Sequence, residues 1–225
     1  MPVVAMLLML APVQAQAAPT DAATKAIVDW QAAIDPVRLE PLPEKANTAQ
    51  RMARLIALDE VTRQNLWRAF DPRLTPAEQI VVETAIGTRM MEVDRANTEA
   101  LKTMLPADGW FRNSRDGRQV THGAWLIAQH SPDNIFRAAI LEAMRTRLAN
   151  GDIDAMDFAL IQDRVQRRRG ELQTYGSQAQ CIGGRTAIQP MIDPAHVDER
   201  RAAIGWSKTF AETKGDLEIG KPCAM

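Results

Sequence analysis

From Asn47 to Phe70 the apolar residues Met52, Leu55, Ile56, Leu66, Trp67 and Phe70 recur at three- and four-residue steps. On an α-helix that period gathers them into one stripe roughly 120° wide. Asp59 and Arg63 fall inside the stripe. One turn apart, they are placed to pair, and a carboxylate or guanidinium taken into a core is tolerated only when paired and hydrogen-bonded. The pattern therefore predicts a built polar site within a helical core.

The same periodicity predicts the other elements. Asp21 to Ile34 reads as a short amphipathic helix around Ile27, Val28 and Trp30, and Asp35 to Pro43, with Pro36, Pro41 and Pro43, as an extended connector. The second helix starts at Asn47, with Gln50 at the capping-box position, and ends near Asp71-Pro72. Thr75, Pro76 and Glu78 give the third a cap, a first-turn proline and a reciprocal cap residue. Its apolar repeat runs through Val82, Ile86, Met90, Val93, Leu101 and Met104 to Pro106, with Asn97 inside the stripe and Asp94 near its edge. Asp108 to Gly117 is rich in turn formers and is expected to be a loop. Ala124 to Ala128 is apolar on all sides, which predicts a buried helix. Ser131 caps a further helix to Asn150-Gly151, and another runs from Asp154 to Gly170 with Asp163 among its apolar residues. Gln178–Ile182 and Ala187–Ile192, joined across Gly183-Gly184, suit a β-hairpin, and Asp193-Pro194 opens a last short helix. The expected fold is mainly α: a single helical domain of about six helices with a small C-terminal β-hairpin.

Val3 to Leu10 is an uncharged apolar run, followed by the small residues Ala15 to Ala18. This is the pattern of a secretory signal peptide, cleaved after Ala17, and the run is too short to anchor the chain in a membrane. The expected division is a signal peptide at 1–17, an N-terminal helix and linker at 18–46, and a helical domain at 47–225. Export to the periplasm or beyond fits the two cysteines, Cys181 and Cys223, which in an oxidising compartment read as one disulfide holding the tail; two free buried thiols are the alternative. With 27 basic against 28 acidic residues, a net charge of −1, nothing argues for nucleic acid. The local cluster Arg164, Arg167, Arg168 and Arg169 reads as a complement to a helix C-terminus.

Several polar residues have the chemistry of a site. His130 is the natural acid–base group, Asp163 or Asp94 could orient it, and Tyr175 could donate a proton, so His130, Asp163 and Tyr175 are the candidate catalytic residues. Asp59, Arg63, Asp94, Asn97, Gln129, Arg164 and Gln178 are the candidate ligand-binding residues, the arginines for an anionic group. The inventory suits binding or hydrolysis of a small polar ligand. It includes no nucleophile motif, glycine-rich phosphate cradle or dinucleotide fingerprint, and no cofactor is expected. His122 and His130 lie about 80° apart around a helix and roughly 12 Å along it, so they cannot share an ion, and no metal is expected. A structural reading competes with this one. His130 would cap carbonyls, Asp133 would face the helix dipole, and Asp59 with Arg63 would enforce helix register in a non-enzymatic envelope module, its partner binding near Trp206 or the tail.

The motifs also carry a resemblance. Asp59 with Arg63, Val93-Asp94 with Asn97-Thr98, Asp108-Gly109-Trp110 followed by Ser114 and Gly117, and Ala124-Trp125 before Gln129-His130 and Asp133 are joined by later ones. These are Asp163-Arg164-Val165, Gly170, Gln173, Tyr175-Gly176-Ser177-Gln178, and Asp198 with Arg200-Arg201. In this order they resemble a bacterial family catalogued only as a domain of unknown function, over roughly residues 48 to 206. The resemblance implies a shared fold and a shared set of polar positions, without a reaction, substrate or cofactor. The chain departs from the family pattern at Phe111, where Pro is usual, Gln162 for Thr, Ser177 for Thr, and Arg137 for Gln, the last adding a charge near His130.

Overall fold

A computed structural model describes residues 20–66 and 71–223. The expected signal peptide, together with Trp67 and Phe70, lies outside the described residues. Within them the order is α1 (Asp21–Leu39), α2 (Thr48–Gln64), α3 (Pro76–Met104), α4 (Asn113–Asp116), α5 (Arg118–His130), α6 (Asn134–Leu148) and α7 (Ala155–Arg168). Strands β1 (Ala179–Ile182) and β2 (Arg185–Ile188), a 3-10 turn at Pro194–His196, α8 (Val197–Ala203) and α9 (Phe210–Asp216) follow. The mainly α expectation holds, but among the described residues nine α-helices stand where about six were expected. The surplus includes α4 inside the expected loop and α9 in the tail, both too short for an apolar period to register.

Local sequence explains the boundaries. Asn47 and Thr75 cap α2 and α3 through reciprocal bonds with Gln50 and Glu78, as their spacing predicts. The connector from Asp35 is not extended at its start, because α1 runs through Pro36 to Leu39. A proline in the last turn forfeits one donor, and the Pro36 carbonyl still accepts from the Glu40 N–H at 3.2 Å. Burial of Ala23, Ala26, Trp30 and Ile34 against Val82 and Ile86 of α3 holds α1 in place. Helix α2 stops at Gln64, short of Asp71-Pro72, where the Asn65 side chain donates to the Val61 carbonyl at 2.8 Å. Helix α6 is capped by Asp133, not Ser131; Asp133 accepts from Phe136 N–H at 2.9 Å, and Ser131 Oγ accepts from Asp133 N–H at 3.1 Å.

Helix α5 is the spine of the main core. Eight of its residues, including Gly123, Ala124, Trp125, Ile127 and Ala128, are buried, and it packs on α2, α3, α6 and α7. Gly123 sets the α2–α5 spacing: a Cβ there would lie 2.5 Å from Ile56 Cδ1 and 2.8 Å from Met52 Cγ. Only a residue without a side chain permits that approach. The two helices run the same way, so His130, seven residues past Gly123, comes level with Asp59, seven past Met52.

The C-terminal segment lies on α7. The hairpin pairs Ala179 with Ile188 and Cys181 with Thr186, so the second strand begins at Arg185, two residues earlier than expected. Gly183 and Gly184 both take positive φ, 57° and 76°, as a two-residue hairpin turn of the favoured hand requires. Cys181 and Cys223 form a disulfide, with Cα atoms 5.8 Å apart, that ties the tail to β1. Among the described residues no helix is long and apolar enough to cross a membrane.

Candidate functional site

The polar positions inside α2, α3 and α5 converge on one chain of contacts. Asp59 is 2% exposed, and its Oδ1 accepts from Arg63 at 2.7 Å and faces His130 Nδ1 at 2.8 Å. The other arm of Arg63 donates to both oxygens of Asp94, at 2.9 and 3.0 Å. The order Asp94, Arg63, Asp59, His130 thus links three helices through two carboxylates, one guanidinium and one imidazole. Neighbouring groups brace it: Asn97 Nδ2 donates to the Leu55 carbonyl at 3.3 Å, and Thr98 Oγ1 to the Asp94 carbonyl at 2.7 Å. Burial raises the pKa of Asp94, and the facing Arg63 opposes that rise.

The contact with Asp59 occupies one ring nitrogen of His130 and leaves the other for a different partner. In the tautomer whose Nδ1–H donates to Asp59, the ring lone pair lies on Nε2, an arrangement compatible with a base oriented by a carboxylate. The side chain of His130 is 21% exposed, whereas Asp59 is sealed behind it. Its partner is therefore Asp59, from α2, and not the Asp163 or Asp94 suggested by the sequence.

Gln129 and Arg164 form a second group beside the first. Arg164 NH1 donates to the Gln129 carbonyl at 3.3 Å, and with the Gln129 amide turned so that its oxygen faces the guanidinium, that oxygen accepts from Nε at 3.0 Å and NH2 at 3.3 Å. Gln178 lines the same cavity as Arg164.

Asp163 and Tyr175 form a third group of different character. Asp163 is fully buried and accepts the backbone N–H groups of Thr174 at 2.7 Å, Tyr175 at 2.9 Å and Ser177 at 2.9 Å. Arg200 and Arg201 bind the carbonyls of the same loop, at Thr174 (2.9 Å) and Tyr175 (2.8 Å). The motif residues Asp163, Arg200 and Arg201 thus grip one loop by its donors and its acceptors. The Tyr175 ring packs edge-on to Phe158, and burial pushes its hydroxyl pKa up. Trp206, expected near an outward partner surface, is buried with Arg201 stacked 4.1 Å from its ring centroid.

The sequence reading missed a second histidine–carboxylate pair. His122 Nδ1 lies 2.9 Å from Asp157 Oδ2, and the imidazole stacks on Trp125 at 4.9 Å. Asp157 is 2% exposed, its Oδ1 has no hydrogen-bond partner among the described residues, and both residues line a cavity of about 350 Å³. Asp157 sits in the first turn of α7, where a carboxylate reads as a dipole residue, so only its neighbour Phe158 hinted at burial. Among the described residues no group of three or more His, Cys, Asp or Glu is placed to hold a metal ion.

Residues 47–213 match a family model described as "Family of unknown function (DUF6624)". No curated protein matches the chain, and no solved structure does.

Proposed function

The chain belongs to the DUF6624 family of unknown function, and from the geometry of His130 we propose that it binds, and acts by proton transfer on, a small polar ligand. The carrying observation is the 2.8 Å contact between His130 Nδ1 and the sealed carboxylate of Asp59. A buried carboxylate that fixes one ring nitrogen leaves the other directed for acid–base work. In this reading His130 moves the proton, and Asp59 holds its tautomer. Arg63 shares the Asp59 oxygen, tempering its charge, while Asp94 holds Arg63 in turn. Gln129 and Arg164 are the adjoining polar groups that contact the ligand. The disulfide and the apolar N-terminal run support export as the setting.

A second reading, in which the polar network only braces the helices, draws on Asp163, whose two oxygens are occupied by the backbone of residues 174–177. Asp163 and Tyr175 accordingly act by positioning the loop. A thermal-shift screen of small polar metabolites against the wild type and His130→Gln separates the readings. Proton transfer predicts compounds whose effect needs His130; bracing alone predicts none.

A further inference from the structure

Three arginines at the end of α7, Arg164, Arg167 and Arg168, line a cavity of about 370 Å³ completed by Gln178 and Gln189. No carboxylate lines it. Two of the guanidiniums are held in place by neutral oxygens: Arg164 by Gln129, and Arg167 by Gln189 Oε1 at 2.8 Å and the Glu171 carbonyl at 2.6 Å. Other arginines of the chain do have acid partners, Arg63 with Asp59 and Asp94, Arg115 with Asp108 and Asp116, Arg118 with Asp154, while Arg200 and Arg201 are taken up by backbone carbonyls. Among the described residues none of the three cavity arginines has such a partner.

The helix C-terminus does not balance them, because its dipole amounts to about half a negative charge against three positive ones. The strain is visible at Arg164, whose pKa is pushed down to about 10 by burial first and then by repulsion from Arg137, Arg168 and Arg63. It still carries its charge at neutral pH. Uncompensated guanidiniums around a small cavity, two of them held in place, are a donor set for an oxyanion.

We infer that this cavity is a binding site for the phosphate group of a small molecule. A phosphate brings nearly two negative charges and several acceptor oxygens, enough to engage guanidiniums from the three arginines that line the cavity, whereas a single carboxylate brings one charge and two oxygens. The volume lies at the small end of ligand pockets, and a whole-chain net charge of −1 supplies no general positive field, which favours a compact anion over a polyanion. The site stands on its own observations and does not require His130 to transfer a proton.

Calorimetry and thermal shift with inorganic phosphate and glycerol phosphate, each against sodium chloride at equal ionic strength, test it. The Arg168 side chain makes no hydrogen bond or ion pair among the described residues, so Arg168→Gln removes charge without removing such a contact. The expected result is saturable phosphate binding, weakened about tenfold in Arg168→Gln and further in Arg167→Gln/Arg168→Gln, while both variants keep the wild-type far-UV spectrum. Tighter binding of glycerol phosphate than of inorganic phosphate marks an esterified ligand, and equal binding marks the free anion. Equal stabilisation by chloride, wild-type phosphate affinity in Arg168→Gln, or binding of an oligonucleotide or anionic vesicles without phosphate binding would overturn the inference.

Discussion

His130 Nδ1 meets Asp59 Oδ1 at 2.8 Å across 71 residues of sequence. The contact depends on Gly123, since α2 and α5 must lie close for two turns before the imidazole reaches the carboxylate. Asp59 also holds Arg63, so its replacement disturbs both neighbours. Asp59→Ala is expected to cost about 3–5 kcal/mol in urea unfolding, the range for removing one member of a buried charged pair. A loss below about 1 kcal/mol would mean that the pair is effectively solvated.

Gly123 and Gly87 give opposite outcomes for the same substitution. Gly123→Ala places a methyl group within 3 Å of Met52 and Ile56 and should destabilise by about 1–3 kcal/mol. Gly87, in α3, has nothing within 4 Å of its would-be Cβ, so Gly87→Ala should stabilise by roughly 0.5–1 kcal/mol through helix propensity. Denaturant midpoints of the two variants check the pair.

Asp163 is expected to matter for the loop it holds. Asp163→Ala leaves the buried N–H groups of Tyr175 and Ser177 without an acceptor, at about 1–3 kcal/mol each, while Thr174 N–H keeps Gln166 Oε1 at 3.1 Å. The fold is expected to be lost or severely weakened. In Asp163→Asn, amide exchange at Thr174, Tyr175 and Ser177 should accelerate well before exchange in α5 does. Unchanged protection of those three amides would remove Asp163 from this role.

The His122–Asp157 pair predicts a pH dependence. The hydrogen bond to Asp157 raises the pKa of His122 above its ordinary value of about 6.5, with burial opposing. A raised folded-state pKa means the protonated ring stabilises the fold. That contribution is fully present below about pH 6.5 and is lost as pH climbs through the higher folded value. NMR titration should place His122 above 6.5 in the wild type and lower in Asp157→Asn; identical titrations in both would sever the link.

Reduction of Cys181–Cys223 should lower stability by up to about 4 kcal/mol, the chain-entropy value for its sequence separation of 42. Comparing melting with and without reductant, and in Cys181→Ser/Cys223→Ser, measures it. The largest loss of protection is expected in the hairpin and α9, which the bond holds together.

Which parts of this architecture are legible in sequence follows from the range of the forces involved. The caps Asn47/Gln50 and Thr75/Glu78 act within one turn, and both appear where their spacing places them. Asp59 with Arg63 is likewise an i,i+4 pair. Its extension to Asp94 and His130 is set by packing between helices, and no local pattern encodes it. Apolar interruption marked Asp59, Asn97 and Asp163 as buried, but periodicity could not separate a carboxylate facing an imidazole from one gripping a loop. Nothing local distinguishes Asp157 from an ordinary first-turn acid of α7, because its burial beside His122 is set by packing between helices. Pro36 and the lengths of α1 and α2 were misjudged where tertiary burial, or one asparagine side chain, outweighed the local signal.

The claim that His130 serves a ligand site is tested most directly by differential thermal shift of wild type and His130→Gln against one library of small polar metabolites. Gln can still donate to Asp59, so the variant is expected to fold with a melting temperature within a few degrees of wild type. The account predicts at least one compound that raises the wild-type melting temperature and leaves His130→Gln unmoved. A screen in which every shift is shared by the two proteins, or none occurs in either, would contradict it.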